Sequence, residues 1–183
     1  RESFASDPYG RNFLGTPPQG RADYAFIQHI LKSMEPKSGR CAILLPHGVL
    51  FRNEESEMRE RLVRSDLVEA VIGLGANLFF NSPMEACILI CRSEKAPNRR
   101  KEILFVDAST EVTRKNAQSY LGPRHIKRIV EAYRSDEDIE GFSSHASFSE
   151  IEGNAFSLSI PLYVKPSSDE NADDRSIEKT VES

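Results

Sequence analysis

The sequence lacks any apolar run long enough to cross a membrane, and it has no internal repeats. A membrane-spanning helix needs about 20 mostly apolar residues. With 183 residues, 39% of them hydrophobic and 28% charged, the composition is that of one soluble globular domain, which we expect to be cytoplasmic. The chain begins at Arg1 rather than at methionine, which predicts that it is a piece of a longer protein. The presence of a signal or transit peptide can therefore not be tested from this sequence.

Cysteines are few, and their spacing argues against a metal site or a disulfide framework. Cys41, Cys87 and Cys91 each stand within an apolar run, and none belongs to a Cys-x-x-Cys pair. No histidine lies at a zinc-site spacing from them. We therefore interpret all three as reduced core residues and expect no bound metal.

The body of the chain has no excess of basic charge. Residues 1–165 carry 22 acidic and 22 basic residues, whereas residues 166–183 carry six acids and two bases. A domain that holds DNA alone usually has a basic excess that neutralises phosphates, so DNA binding would need a partner or another part of the protein. We expect the acidic tail to be disordered or docked on a partner.

Basic residues nevertheless cluster in two stretches. Arg99, Arg100 and Lys101 are the first candidates for phosphate contact, although most such clusters are simply solvated faces. The wider set comprises Arg92, Lys95, Arg114, Lys115, Arg124, Lys127 and Arg128.

Residues 1–21 are rich in glycine, proline, asparagine and serine, which predicts a long loop. Asp23 can then cap a helix that runs to Glu35, where Pro36 and Gly39 end it. The spacing predicts a buried face made of Ile27, Ile30, Leu31 and Met34.

Short apolar runs predict the strands of an α/β domain, and the first of them, Cys41–Leu45, is apolar enough to be buried on both faces of a mostly parallel sheet. Further strands are predicted at Leu67–Leu74, Ala86–Cys91 and Ile103–Val106, with an edge strand at Phe156–Val164. Helices are predicted at Glu54–Arg64, with Met58 and Leu62 inward, and at Arg124–Tyr133, with Ile126, Ile129 and Val130 inward. About a dozen residues without a helical pattern separate the second and third strands, which favours an antiparallel pair.

Four segments together carry a more specific signal. They read Ala-Asp-Tyr-Ala-Phe-Ile-Gln-His-Ile-Leu at 22–31, Leu-Pro-His-Gly-Val-Leu-Phe at 45–51, Glu-Ala-Val-Ile-Gly-Leu at 69–74 with Asn-Leu-Phe at 77–79, and Ala-Cys-Ile-Leu at 86–89. In order and spacing they resemble the modification subunits of type I restriction systems, which are DNA adenine N6-methyltransferases. The segment Ile103–Ala108 also fits this family, and the resemblance extends to Val164.

The resemblance implies a Rossmann-like, S-adenosylmethionine-dependent methyltransferase fold, a mostly parallel sheet with one antiparallel strand. Residues 1–165 would be the C-terminal part of the catalytic domain, and residues 166–183 its acidic tail. The reaction transfers a methyl group from S-adenosylmethionine to the amine of a flipped-out adenine. The implied partners are DNA, a specificity subunit and a restriction subunit.

The family's catalytic motif, Asn/Asp-Pro-Pro-Tyr/Phe, is absent in intact form. Asp7-Pro8-Tyr9-Gly10 lacks the second proline, and Thr16-Pro17-Pro18-Gln19 lacks the hydrogen-bond acceptor and the aromatic ring. We interpret both as parts of the loop and expect the catalytic motif, and the glycine turn that holds most of the cofactor, before Arg1. The chain alone is therefore predicted to be inactive.

Phe79 is the main site candidate, because the resemblance implies an aromatic at this position that stacks on the flipped base. The alternative is that Phe79 and Phe80 simply cover the edge of the sheet. We favour base stacking for Phe79 and edge covering for Phe80. Weaker candidates for lining the pocket are Pro46, His47, Gly48, Asp23 and Phe26. The first three lie at the end of a buried strand, where open α/β sheets bind ligands. A general base at His47 is not expected, because the family chemistry needs none there. Helix capping by Asp23 and core packing by Phe26 explain the last two equally well.

Two other functions stay open at the level of sequence. The chain could be a non-catalytic assembly module, which the missing motifs and the neutral body favour. It could also belong to a methyltransferase that acts on RNA or on a small molecule.

Overall fold

The computed structural model describes residues 6–80, 82–116 and 118–166, so nearly all of the acidic tail lies outside the described residues. The helices are α1 (Asp23–Ser33), α2 (Ser56–Arg64), α3 (Pro123–Arg134) and α4 (Phe148–Gly153). The strands are β1 (Arg40–Pro46), β2 (Val68–Leu74), β3 (Ala86–Arg92), β4 (Glu102–Ala108), β5 (Thr113–Lys115), β6 (Gln118–Tyr120) and β7 (Ser143–Ser147). Short 3-10 helices occupy His47–Leu50, Asn53–Glu55, Pro97–Arg99 and Ile160–Leu162. None of the described helices combines the length and apolarity that a membrane crossing requires.

Five strands form one sheet in the order β1-β3-β2-β4-β7, and β5 and β6 form a separate hairpin. The predicted antiparallel pairing of the second and third strands is confirmed, because β3 lies antiparallel between β1 and β2. The sheet is less parallel than expected. Of its described pairs, β2 with β4 is parallel and the other three are antiparallel.

Alternation along the central strands divides the core between the two faces of the sheet. In β4, Ile103 and Phe105 face the larger cluster, which includes the buried sides of α1 and α2. Leu104 and Val106 face the smaller cluster, which is covered by α3. A strand with a period of two that is apolar at every position must bury both faces, and β4 does so.

β1 differs from the prediction that it is buried on both faces. It is an edge strand of the described sheet, with Ile43 and Leu45 in the larger cluster and Leu44 50% exposed on the other face. The apolar run predicted the strand correctly. Its position in the sheet depends on contacts that a run of apolar letters does not specify.

Two predictions about helices are wrong in detail. Asp23 is the first residue of α1 and makes no capping hydrogen bond, because its carboxylate pairs with Arg52 instead. In α3, Ile126 and Val130 are exposed, whereas His125, Ile129 and Ala132 are buried. The buried face is displaced because His125 turns inward and accepts a hydrogen bond from the Gly122 N–H at 3.0 Å.

The predicted edge strand at Phe156–Val164 does not form. Ala155 and Phe156 have φ values of 52° and 54°, which turn the backbone, and Ile160–Leu162 is a 3-10 helix that contains Pro161. Leu158, Ile160 and Tyr163 are buried against the sheet, so the alternation reflects packing across its face. The edge strand observed beside β4 is β7, whose polar sequence gave no strand signal.

The three cysteines, which were interpreted as reduced core residues, differ in burial and in the pKa of their thiols. All three are free; Cys87 and Cys91 are buried, and Cys41 lies opposite Cys91 across the β1–β3 pair. The hydrogen bond with Cys91 lowers the pKa of the Cys41 thiol, whereas burial raises the pKa of Cys87 to about 12. Because the thiolate is the reactive form, we expect iodoacetamide at neutral pH to modify Cys41 well before Cys87. Peptide mass spectrometry of the native protein measures this order, and equal rates at both sites would contradict it.

Candidate functional site

Four strand ends meet along one edge of the sheet. Pro46 at the end of β1 and Leu74 at the end of β2 both align with Ala86 at the start of β3. Leu74 also aligns with Ala108 at the end of β4. Everything that follows β1, β2 and β4 therefore leaves from this edge, which we call the carboxyl edge. Ligands bind at such edges in open α/β sheets.

The loops that follow β2 and β4 leave the carboxyl edge in close contact. A Cβ built on Gly75 would lie 2.5 Å from the carbonyl oxygen of Ser109, so a side chain at this position would collide with the neighbouring backbone. Farther along, the Ser119 N–H of β6 donates a hydrogen bond to the Asn77 carbonyl at 2.9 Å. The first contact joins the segment after β2 to the loop after β4, and the second joins it to the β5–β6 hairpin.

A groove of about 440 Å³ opens between this loop and the hairpin, and we call it the aromatic groove. Phe79 and Phe80 come from the loop, and Tyr120 comes from β6. The other lining residues are Asn77, Ser82, Pro83, Lys115, Asn116 and Gln118. Aromatic rings beside amides, a hydroxyl and an ammonium group suit a flat heteroaromatic ligand that also offers polar atoms.

Phe79 and Phe80 occupy different environments. The Ser82 N–H donates a hydrogen bond to the Phe79 carbonyl at 3.1 Å. Phe79 is 37% exposed, whereas Phe80 is 84% exposed. A partly buried ring has neighbours that hold its orientation while one part of it remains accessible, and this is the geometry that stacking on a base requires.

His47 lies at the same edge and is held by Glu85. Its N–H donates to the Glu85 carbonyl at 3.3 Å, and its Nδ1 lies 3.1 Å from the Glu85 carboxylate. The rings of His47 and Phe51 pack edge to face, with centroids 6.1 Å apart. The His47 Nε2 is buried without a hydrogen-bond partner in the described part of the chain. These contacts give His47 a clear structural role at the end of β1.

Gly48 and Asp23 belong to a second cluster, centred on Arg52. The Arg52 side chain passes over Gly48, where a Cβ would lie 2.6 Å from its Nε. Its guanidinium lies 3.0 Å from the Asp23 carboxylate and 3.4 Å from Glu55. Glu55 is fully buried, and burial raises the pKa of its carboxyl group above the ordinary value. The cluster links the start of α1 to the segment after β1.

Phe26 does not pack in the core. It is 63% exposed and lines a separate groove of about 540 Å³, formed by α1 and the preceding loop. The other residues of this groove include Ala25, His29 and residues 16–22. Core packing is therefore excluded for Phe26, whereas its proposed place beside a pocket remains a prediction.

Several of the basic candidates are engaged in internal contacts. The Lys95 ammonium is buried between the Asp66 carboxylate at 2.7 Å and the Glu102 carbonyl at 2.8 Å. Arg92 binds Glu69 at 2.8 Å, and Arg128 pairs with Glu111. Arg99 donates to Asp136 at 2.9 Å and also contacts His145 and the Ser135 carbonyl. In these four residues the charge is already compensated by the fold.

Position separates the basic stretch before β4 from the one after it. Arg99, Arg100 and Lys101 directly precede β4 and therefore lie at the edge opposite the carboxyl edge. A strand of seven residues spans about 20 Å, so these side chains start far from the aromatic groove. Arg114 and Lys115 follow β4 and lie at the carboxyl edge.

Comparison with known proteins identifies the family. The family model described as N-6 DNA Methylase matches residues 1–172. The methylase subunit of the type I restriction enzyme MjaVII from Methanocaldococcus jannaschii is 37% identical over 156 residues, which cover 83% of this chain and 26% of the relative. The HindI methylase subunit from Haemophilus influenzae is 33% identical over 175 residues, 89% of this chain and 38% of the relative. This chain belongs to the N-6 DNA methylase family.

Solved structures agree with this assignment. The methyltransferase subunit of a type I restriction-modification system from Streptococcus thermophilus superposes with a TM-score of 0.82 at 38% identity, over 90% of this chain and 35% of that one. The M protein of the type I restriction enzyme EcoKI has a TM-score of 0.68 at 16% identity, over 84% of this chain and 40% of that one, which shows the fold alone. The resemblance to type I modification subunits and the methyltransferase fold class are confirmed. The chain spans about a quarter to two fifths of the length of these relatives.

The partial motif Asp7-Pro8-Tyr9-Gly10 has a structural explanation in this member of the N-6 DNA methylase family. The Asp7 carboxylate accepts hydrogen bonds from the Arg11 backbone at 2.5 Å and from the Arg11 guanidinium at 2.6 and 3.0 Å. These bonds to Arg11 lower the pKa of Asp7 to about 2. An acceptor already saturated by its own loop is poorly suited to receive an adenine amine, which agrees with our interpretation of this segment as loop.

No glycine-rich turn of the kind that holds a nucleoside cofactor follows β1, β2 or β4 in the described part of the chain. Methyltransferase and dinucleotide folds hold a nucleoside cofactor at a glycine-rich turn between a strand and a helix. The residues after β1, β2 and β4 read His-Gly-Val, Gly-Ala-Asn and Ser-Thr-Glu, none of which is such a turn.

The second wall of the aromatic groove was not predicted from the sequence. Tyr120 and Gln118 were not singled out, and Lys115 appeared only among many basic residues. The sequence did carry a signal, because only two residues, the first of them Asn116, separate Thr113–Lys115 from Gln118–Tyr120. A two-residue loop with asparagine is typical of a β-hairpin.

Proposed function

We propose that this chain is the part of a site-specific DNA adenine N6-methyltransferase that receives the target base. The parent protein would be the modification subunit of a type I restriction-modification system and would act in the cytoplasm. The flipped adenine would enter the aromatic groove and stack on Phe79. Membership of the N-6 DNA methylase family supports the reaction, and the half-exposed ring of Phe79 at the carboxyl edge supports the site.

The observation that carries the proposal is the position of Phe79. It stands on a loop that leaves the carboxyl edge, beside a second loop and a hairpin that are joined to it by backbone contacts. Stacking contributes about 1–3 kcal/mol per base and needs no sequence-specific polar groups. Such a platform suits an enzyme whose sequence specificity comes from a separate subunit.

The remaining chemistry would be supplied outside this chain. The adenine amine is a weak nucleophile because its lone pair is delocalised into the ring. Acceptors that bind the amine better in the transition state than in the ground state speed the reaction. In the family these belong to the Asn/Asp-Pro-Pro-Tyr/Phe motif. S-adenosylmethionine would supply the methyl group and would be bound mainly by residues that precede this chain in the parent protein.

The proposal is tested by methyl transfer. The full-length protein, combined with its specificity subunit, is incubated with methyl-labelled S-adenosylmethionine and either duplex DNA or RNA, and this chain alone is assayed beside it. We expect label on adenine N6 in DNA with the full-length protein and none with the chain alone. Label on RNA alone would overturn the proposal, and absence of transfer by the intact complex would favour an assembly module.

A further inference from the structure

The β5–β6 hairpin forms the wall of the aromatic groove opposite Phe79. Lys115 and Tyr120 line this wall, and Tyr120 is 47% exposed. The Tyr120 hydroxyl donates to the Gln118 side-chain oxygen at 3.3 Å. The ring is therefore oriented by its own strand while much of its surface stays accessible.

The hairpin is fixed relative to Phe79. Lys115 pairs with Gln118 and Thr113 pairs with Tyr120 within the hairpin. Ser119, between these partners, is buried and donates its N–H to Asn77, two residues before Phe79. A ligand that stacks on Phe79 therefore meets Lys115 and Tyr120 at a set distance rather than on an independent loop.

The charge on the hairpin has no structural explanation in the described ranges. Arg114 and Lys115 are exposed, and neither forms an ion pair with a described acidic residue. By contrast, Lys95 and Arg128 each have an acidic partner. Two adjacent uncompensated cations beside an aromatic groove provide the charge complementarity that a nucleic acid backbone needs.

We propose that the β5–β6 hairpin binds the DNA strand next to the flipped-out adenine, with Lys115 on a flanking phosphate and Tyr120 against the adjoining nucleotide. The inference rests on the proposed function, since it assumes that a base occupies the groove at Phe79. A flipped nucleotide stays covalently linked to the phosphates on both sides, so a cation on the opposite wall meets the backbone while the base is stacked. The cluster of Arg99, Arg100 and Lys101 begins about 20 Å away, at the other edge of the sheet, and does not serve this nucleotide.

Salt dependence of DNA binding tests the phosphate contact. Each contact contributes about 0.9 to the slope of log affinity against log salt concentration. In the full-length protein with its specificity subunit, Lys115→Ala is expected to reduce this slope by about 0.9. Between about 50 and 200 mM salt the wild type would then lose about 3.5-fold more affinity than the variant. Lys115→Arg should retain the slope, and Lys37→Ala is the matched control, because Lys37 is exposed and precedes β1 at the opposite edge.

A fluorescent base separates this inference from the proposed function. With 2-aminopurine at the target position, Tyr120→Ala is expected to weaken binding of the flipped state severalfold, whereas Lys37→Ala should not. If the wild type methylates DNA but Lys115→Ala keeps the wild-type slope and Tyr120→Ala keeps the wild-type fluorescence, the hairpin does not bind the strand. If the wild type transfers no methyl group to DNA, the proposed function itself fails.

Discussion

Replacing Phe79 with alanine is expected to lower kcat/KM for DNA methylation by about 5- to 150-fold, because stacking on a base contributes about 1–3 kcal/mol. The loss would occur without unfolding, since Phe79 is partly exposed at the rim of a groove. Exposed positions of this kind usually change stability by less than about 0.5 kcal/mol. The measurement is steady-state methylation by the full-length protein with its specificity subunit.

The conservative variant and a surface control sharpen this test. Phe79→Tyr keeps a flat ring and should retain most of the activity, and Ile126→Ala, on the exposed face of α3, should behave as the wild type. If Phe79→Ala were as active as the wild type, the base would stack elsewhere in the site. If Phe79→Ala lost activity together with thermal stability, the ring would instead be part of the packing of the loop.

The strands were predictable from sequence because their apolar runs obey a strong physical constraint. β2 and β4 are buried on both faces, so nearly every position must be apolar, and their limits agree with the predicted ones within two residues. The antiparallel β3 was predictable for a different reason. The segment between Leu74 and Ala86 is too short and too polar for a crossover helix.

Other features lay beyond the sequence signal because they depend on tertiary contacts. β7 has the sequence Ser-Ser-His-Ala-Ser, and it is a strand because its backbone pairs with β4. The alternation in Phe156–Val164 is real, but burial against the face of a sheet produces the same period as membership of that sheet. The apolar run Cys41–Leu45 likewise does not indicate whether β1 has a neighbouring strand on one side or on both.

The candidate site shows the same division. Phe79 was singled out through family resemblance, since an aromatic residue in a loop has no periodicity that marks a site. The opposite wall of the aromatic groove could be identified only from the structure, which shows which loops touch. The contacts in question are those of Gly75 with Ser109 and of Asn77 with Ser119. Two of the basic residues differ in the same way. Lys95 and Lys115 have the same chemistry in sequence, but one is buried in an ion pair and the other is exposed beside a groove.

Replacing Phe105 with alanine is expected to lower the free energy of unfolding by about 3–5 kcal/mol, the usual cost of truncating a buried phenylalanine. Phe105 is completely buried in the larger cluster, and its ring stacks on that of Tyr163 with centroids 4.0 Å apart. Tyr163 belongs to the segment Phe156–Val164, so this contact holds the segment against the sheet. Urea denaturation of the protein measures the change, with Ile126→Ala expected to stay within about 0.5 kcal/mol of the wild type.

A double-mutant cycle between Phe105 and Tyr163 distinguishes packing across the sheet from strand pairing. Stacked aromatic pairs contribute about 0.5–1.5 kcal/mol beyond their buried area, so the two alanine substitutions should be coupled by about this amount. Tyr163→Phe should keep the coupling, although it loses the hydrogen bond from the hydroxyl to the Ser157 carbonyl at 2.5 Å. Additive effects of the two alanine substitutions would show that the rings do not stack, and the segment would then have to be stabilised by its other buried residues, Leu158 and Ile160.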